Sequence, residues 1–510
     1  MVAHVKSVAF LGVEARIIDV QVQLTSGLPA FTIVGLPDKA VAESRERVRA
    51  ALSAIGLAFP PKRLTVNLAP ADLPKMGSHF DLPIALGVMA ASGALEAETL
   101  ANTLVVGELG LDGTIAKVDG ALPAAMSAVS EGWRLICPRE CGPEAAWAGA
   151  TLEIIAPGDL VQLINHLTGR QMMERPDAEI GSDDKRLGDF ADIRGQETAK
   201  RALEVAAAGA HNILLSGPPG TGKSMLAQRL PTILPPLTAQ ELLETAMIKS
   251  VASDLTAGRL TAERPFRAPH HSASMAAMVG GGMRAQPGEA SLAHNGVLFL
   301  DELPEFSPQV LDSLRQPLEN GETIIARANF RVAYPSRFQL VAAMNPCRCG
   351  YAGTPGHTCK RGAKCAEDYQ KRLSGPFLDR IDMHIDVPAV TAVDMMSPTA
   401  SETSETIKTR VVTARDVQRR RYDALSLEGV RTNADSPASR LEEIAVFEPA
   451  ATQLFREAAD RFKLSARSYH RMVRVSRTIA DLEGSELICR PHVAEALSFR
   501  FRFSSPALAA

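Results

Sequence analysis

The run Gly217-Pro218-Pro219-Gly220-Thr221-Gly222-Lys223-Ser224 holds the residue types that grip a nucleoside polyphosphate. It fits the spacing G-x-x-x-x-G-K-[ST], with the apolar run Ile213–Ser216 before it and the helical run Met225–Leu230 behind it. Glycines let successive backbone N–H groups wrap phosphate oxygens, and the helix that follows adds the positive end of its dipole. Lys223 is then expected to reach the β- and γ-phosphates, and Ser224 to ligate Mg²⁺. Gly296-Val-Leu-Phe-Leu-Asp301-Glu302 is a buried-strand pattern ending in two carboxylates. Asp301 is expected to hold the same Mg²⁺ through water, and Glu302 to polarise the attacking water.

A third group is Cys347, Cys349, Cys359 and Cys365, spaced C-x-C-x₉-C-x₅-C in a Gly/Lys/Arg-rich stretch. Four thiolates close a tetrahedral structural Zn²⁺ site, although the spacing departs from paired C-x₂-C. Free thiols and a redox switch are the alternatives, and His357 is a substitute ligand. Arg348, Lys360, Arg361 and Lys364 would make such an insertion cationic and suited to phosphates.

The elements that must position these groups set the organisation of the 510 residues, for which length suggests roughly three domains. Residues 1–168 alternate short apolar runs (Ala15–Val22, Arg63–Leu68, Thr103–Val106, Arg134–Ile136) with helical stretches (Asp38–Ile55, Pro83–Ala94), an α+β or α/β pattern. Residues 169–187 read as a polar linker. Residues 188–390 alternate strands (Asn212–Ser216, Gly296–Leu300, Arg337–Ala343) with helices, so an α/β fold with a parallel sheet is expected, carrying the Cys-rich insertion 346–372. Residues 391–510 turn helical and Arg-rich.

Composition excludes several classes. With 46% hydrophobic and 22% charged residues, the chain is not largely disordered, and a net charge of −3 argues against a globally basic nucleic-acid coat. The longest apolar candidate, Leu82 to Leu95, is broken by Pro83, Gly87 and Ser92, so no membrane span is expected. The N-terminus has no signal-peptide pattern, which points to the cytoplasm, and seven cysteines there do not read as a disulfide framework.

Longer motifs carry a resemblance. Ile193-Arg-Gly-Gln196-Glu with Ala199-Lys-Arg-Ala-Leu, Pro265-Phe-Arg-Ala-Pro-His270-His271-Ser, Ser291 to Phe306 and Leu373 to Asp382 are similar to AAA+ ATPases of the magnesium-chelatase-like branch, in particular the ComM (YifB) family. The resemblance spans nearly the whole chain. It implies an AAA+ P-loop core, a helical C-terminal lid and an N-terminal α+β module like the proteolytic domain of Lon. It implies ATP and Mg²⁺ as cofactors, and Gln196 in the segment lining the adenine pocket. Met225, which follows Ser224, completes the nucleotide-binding set.

Asn345 resembles the sensor that orients the hydrolytic water, and Arg380 the arginine finger that acts across a subunit interface. The alternative for Arg380 is a salt bridge with Asp379 or Asp382. Arg467 resembles the second sensor arginine of the lid, with Arg471 the alternative for that role. A finger acting in trans implies a ring, and the family expectation is a homo-hexamer.

In the N-terminal module the resemblance puts His79 at the nucleophile position, Ser78 one residue early, and Pro123 where the general-base lysine belongs. Proline cannot act as a base, so the module is expected to be proteolytically inert and to serve as a docking or DNA-guiding platform. DNA contacts are expected from Arg467, Arg471 and Arg474 on one helical face, from Arg327 and Asn329-Phe-Arg-Val in a hairpin, and from His270 and His271. With aromatics at 5%, such contacts would track the backbone and be salt-sensitive.

The function this implies is an ATP-dependent DNA translocase or helicase driving branch migration when taken-up DNA is recombined in natural transformation, with recombination proteins as partners. The alternatives are a chelatase-type motor that remodels a metal-inserting partner, an ATP-dependent protease and a non-enzymatic scaffold. The resemblance gives the chelatase motor no N-terminal Lon-like domain, so residues 1–168 weigh against that reading; His79 and Pro123 weigh against the protease, and the set Glu302, Asn345 and Arg380 against the scaffold.

Overall fold

The computed structural model describes residues 2–179, 181, 188–255, 260–282, 285–326, 331–351, 359, 363–390 and 402–500. Two sheets organise them. In the N-terminal block the seven strands run in the order Ala30–Val34, Arg63–Ala69, Glu14–Thr25, Val2–Leu11, Thr103–Val105, Arg134–Ile136, Ile154–Ile155. Val2–Leu11 and Glu14–Thr25 form an antiparallel hairpin, and the strands from Val2–Leu11 through Ile154–Ile155 pair in parallel. The helices Lys39–Ala54 and Asp81–Ser92 pack on this sheet, the first capped by the Asp38 side chain accepting from the Val41 N–H.

The second sheet has five strands, all parallel, in the order Phe266–Arg267, Val297–Leu300, Gln339–Met344, Ile213–Ser216, Met383–Asp386. Because strand side chains alternate, Ile213 and Leu215 face one side and Leu214 the other, and all three are fully buried. Leu214, Leu298, Leu300, Leu340 and Met344 pack with Phe306 and Phe377 on one face. On the opposite face Ile213, Leu215, Val341 and Ile385 share a core with Leu226 and Leu230 and with the C-terminal helices. Burial on both faces explains why these strands read as unbroken apolar runs.

The C-terminal residues form the helices Ser404–Ala424, Pro449–Phe462, Ala466–Leu482 and Arg490–Ser498. They contribute Val411, Ala414, Met472, Val473, Ile479 and Val493 to the core they share with the nucleotide half. The N-terminal block docks on the helix Ala239–Val251: Leu122 packs with Ala246, Leu255 and Leu260, and the Gly120 N–H donates to the Ser250 carbonyl at 3.2 Å. Of the expected linker, the described part is held at both ends, with Arg175 Nε donating to the Leu152 carbonyl and the Gly181 N–H to the Leu260 carbonyl. The hairpin expected around residue 330 is present as Glu322–Ala326 paired with Arg331–Pro335. Arg327, Asn329 and Phe330 lie outside the described residues, as do His357, Lys360 and Arg361.

Candidate functional site

In a parallel α/β sheet the strand ends where loops meet helix N-termini gather chemistry at one edge. Ile213–Ser216 ends in the phosphate loop, Val297–Leu300 in Asp301 and Glu302, and Gln339–Met344 in Asn345. The three strands are neighbours in register, Ser216 opposite Met344 and Leu300 opposite Ala342, so the three sets of side chains converge. The loop is fixed by close packing: a Cβ on Gly217 would lie 2.1 Å from the Val387 carbonyl oxygen. Gly222 takes φ +86° directly before the helix Lys223–Ile233, a left-handed conformation that favours glycine.

Lys223 is buried, and its Nζ donates to the Gly217 and Pro218 carbonyls at 2.8 Å and to Asn345 Oδ1 at 3.1 Å. Burial lowers its pKa, opposed by the nearby Asp301 carboxylate. The Ser224 hydroxyl donates to Asp301 Oδ2 at 2.7 Å, so the two expected Mg²⁺ ligands already touch. An all-oxygen donor pair beside a phosphate cradle fits a hard cation of that kind. Glu302 follows with φ +52°, its N–H donating to Asp301 Oδ1, and its carboxylate stands 3.4 Å from His271 Nδ1. Gln196 donates to the Pro388 carbonyl at 2.6 Å and to Thr221 at 3.4 Å, beside the loop; Met225 is exposed on the loop's helix.

The arginines lie elsewhere. Arg380, Arg467, Arg471 and Arg474 line one cavity of about 660 Å³ together with Ala210, Asn212, Gly296 and Gln339. Those last four precede or begin the strands whose far ends carry the phosphate site. A four-residue strand rises ~13 Å, so Arg380 and Arg467 sit across the sheet from the phosphate loop of their own chain. Arg380 pairs with Glu319, not with Asp379 or Asp382, and donates to the Pro376 carbonyl at 2.6 Å. Its Nε is buried without a partner among the described residues.

Arg471 donates to the carbonyls of Ile381 and Asp379, and Arg474 to that of Ser436. Of the helical face expected to meet DNA, only Arg467 is exposed; burial lowers the pKa of Arg471 and Arg474. The Sγ atoms of Cys347, Cys349, Cys359 and Cys365 lie within 4.8 Å of one another, close enough for one soft divalent metal ion.

In the N-terminal block His79 is buried, with Nε2 at 2.8 Å from the Val8 carbonyl, and burial lowers its pKa. Ser78 hydrogen-bonds Glu108, and Pro123 is buried inside the helix Ala121–Glu131. Ser78, His79, Glu108, Lys117 and Asp119 border a cavity of about 200 Å³ that also meets Tyr334 on the strand Arg331–Pro335.

Sequence reasoning missed three contacts of this site: His271 against Glu302, Glu319 on Arg380, and the approach of Gly350 to Pro219, where a Cβ would lie 2.7 Å from the proline ring. Glu319 and Gly350 stand far in sequence from their partners with no spacing signal. The two histidines were legible only as candidates for contact with DNA.

Family models match along the chain: "Magnesium chelatase, subunit ChlI" at residues 189–395, "Subunit ChlI of Mg-chelatase" at 20–141, and its C-terminal region at 401–500. Among curated relatives, "Competence protein ComM" of Haemophilus influenzae is 44% identical, covering 98% of this chain and 97% of that protein. The protein YifB of Salmonella typhimurium is also 44% identical, over 98% of this chain and 97% of its own length. The magnesium-chelatase 38 kDa subunit of Cereibacter sphaeroides is 27% identical over 31% of this chain and 52% of its own. Among the described residues no helix is long and apolar enough to cross a membrane.

Proposed function

The chain belongs to the ComM/YifB family of magnesium-chelatase-like AAA+ ATPases, and from that premise we propose a homo-hexameric DNA motor that drives branch migration of recombination intermediates. The observation that carries the ring is the split between the two sheet edges. Lys223, Ser224, Asp301, Glu302 and Asn345 share one edge, while Arg380, with a buried unpartnered Nε, faces a cavity at the other. A finger so placed serves the phosphate site of a neighbouring subunit, a head-to-tail contact that closes into a ring. Arg467 on the same cavity is the lid arginine for that neighbour's nucleotide.

In each turnover Lys223 and the loop amides hold the β- and γ-phosphates; Ser224 and Asp301 would hold Mg²⁺, which would supply charge to neutralise the transferring phosphoryl oxygens. Glu302 and Asn345 orient water in line, and Arg380 of the adjoining subunit stabilises the transition state. DNA passes through the ring along Arg331 and the segment of His270 and His271, held by salt-sensitive backbone contacts. The N-terminal module is a proteolytically inert platform for DNA or recombination proteins: Ser78 is engaged by an acid, His79 is sealed in, and Pro123 occupies the base position. The cysteine cluster holds structural Zn²⁺, and the protein works in the cytoplasm during uptake and integration of foreign DNA.

A chelatase-type motor is the second reading, favoured by the chelatase description of the family models. The N-terminal block does not separate the two, since a model described for the same chelatase subunit matches residues 20–141. Strand exchange on a labelled three-strand branched DNA decides between them. The DNA motor moves the branch with ATP and fails as Lys223→Ala; no movement, with turnover indifferent to DNA, would favour protein remodelling.

A further inference from the structure

The four cysteines sit against the nucleotide site. Asn345, which accepts from Lys223 Nζ, is two residues from Cys347, and the preceding Met344 carbonyl accepts from the Gly217 N–H at 3.2 Å. The chain then turns, with the Gly350 N–H donating to the Cys347 carbonyl at 2.9 Å and Gly350 at φ +88°. At that turn Gly350 meets Pro219 of the phosphate loop so closely that an added Cβ would lie 2.7 Å from Cδ and 3.1 Å from Cγ. Past Cys365 the helix Ala363–Gln370 leads back to the catalytic edge: Gln370 donates to the Pro346 carbonyl, and Arg372 to the Pro304 carbonyl and the Glu305 carboxylate at 3.1 and 3.0 Å.

The cluster thus reaches the phosphate loop through Gly350, the sensor strand through its own chain, and the turn after Glu302 through Arg372. Among the described residues of 346–372, the buried hydrophobic side chains are Cys347, Cys365 and Tyr369. Among the described residues these three side chains are few, and joining the four thiols through one ion would tie Cys347, Cys349, Cys359 and Cys365 together. A metal held by four thiolates supplies that closure, and its loss releases the turn that carries Gly350.

We propose that the four-cysteine knuckle, closed by one Zn²⁺, sets the position of the phosphate loop through the contact of Gly350 with Pro219, so that metal loading controls nucleotide affinity. This rests on the ATPase reading above. The packing makes the knuckle a positioning element, whose effect reaches the phosphate loop through Gly350 and Pro219.

The test is equilibrium binding of a fluorescent ATP analogue to the full-length protein, with zinc counted by metal analysis before and after an organomercurial strips the thiols. Wild type should hold about one zinc per chain. Stripping should weaken binding at least about tenfold, and one equivalent of Zn²⁺ should restore it. Gly350→Ala should keep its zinc, by metal analysis, and bind the analogue at least about tenfold more weakly. Pro219→Ala trims the ring that Gly350 meets and leaves the knuckle intact, so stripping should change its affinity by less than about threefold.

Zinc release that leaves wild-type affinity within about twofold would overturn the proposal, as would protein purified from zinc-supplemented medium with less than about half an equivalent. Pro219→Ala as zinc-sensitive as wild type would overturn the route through that contact. Zinc-loaded wild type that binds no nucleotide would instead sink the ATPase reading, and this inference with it.

Discussion

The two edges of the five-stranded sheet differ in how complete they are. At the edge where the strands end, the key side chains find partners inside the chain: Lys223 has three acceptors, Ser224 has Asp301, and Glu302 faces His271. At the other edge cations are gathered beyond what the chain itself satisfies, with Arg380 Nε and Arg474 Nε buried and unpartnered among the described residues. Acidic groups do answer part of that charge. Glu241 binds Arg264 and Arg431, and Glu244 binds Arg431. In the proposed ring this difference sets the roles: one edge holds a nucleotide, and the other is finished by the phosphates bound to a neighbouring subunit.

Substitutions break that comparison in graded ways. Lys223→Ala removes the cation seated in the phosphate loop and should abolish nucleotide binding and turnover, read by calorimetry and phosphate release; full turnover would refute the site. Arg380→Ala should leave nucleotide binding and assembly intact and slow hydrolysis by ~10³–10⁵, the usual worth of an arginine finger. Native mass spectrometry with single-turnover kinetics checks both halves of that statement. Glu302→Gln should bind ATP and slow the chemical step by ~10²–10⁴, trapping the nucleotide-loaded ring; rapid turnover would deny it the role of base.

The smallest effect sharpens the second edge. Arg337 N–H donates to His294 Nδ1 at 3.0 Å, which leaves Nε2 to donate to Glu244 at 3.3 Å. That bond, with help from Asn295 and Arg431, holds Glu244 at about 2. Its folded pKa is therefore depressed, so the stabilisation is complete above the ordinary glutamate value of about 4.3 and fades as pH falls toward 2. Because the carboxylate is partly exposed, Glu244→Gln should cost only a few tenths of a kcal/mol near neutrality, roughly the worth of a screened pair. In urea melts the difference from wild type should shrink as pH falls through that acid range; a difference as large at pH 2 as at pH 7 would deny the linkage.

How legible this was depended on distance along the chain. The strands Ile213–Ser216 and Val297–Leu300 were readable because both of their faces are buried, and a short continuous apolar run bounded by turn residues fits a buried strand better than a helix. The phosphate loop was readable because its residues are contiguous. Val2–Leu11 does not stand out in the sequence although Ala3 and Val5 alternate into the core, since His4, Lys6 and Ser7 dilute the run. Met383–Asp386 is four residues with a histidine and an aspartate, too short and polar to declare itself.

The grouping of Arg380 with Arg467 and Arg471 on one cavity follows from strand direction and helix packing, which spacing does not encode. The pairing of Arg380 with Glu319 spans 61 positions, so neither its existence nor its partner was readable. The cysteines, by contrast, announced themselves as a group, while their seat against Pro219 did not.

The claim that the second edge completes a neighbour's site is tested most directly by mixing two inactive variants. Lys223→Ala keeps its arginine finger and loses its phosphate site; Arg380→Ala does the reverse. In a randomly mixed ring about a quarter of the interfaces join an intact site to an intact finger. The account predicts that ATP hydrolysis reappears on mixing, rising with the proportion of such interfaces. A mixture that assembles and remains as inactive as its components would contradict it.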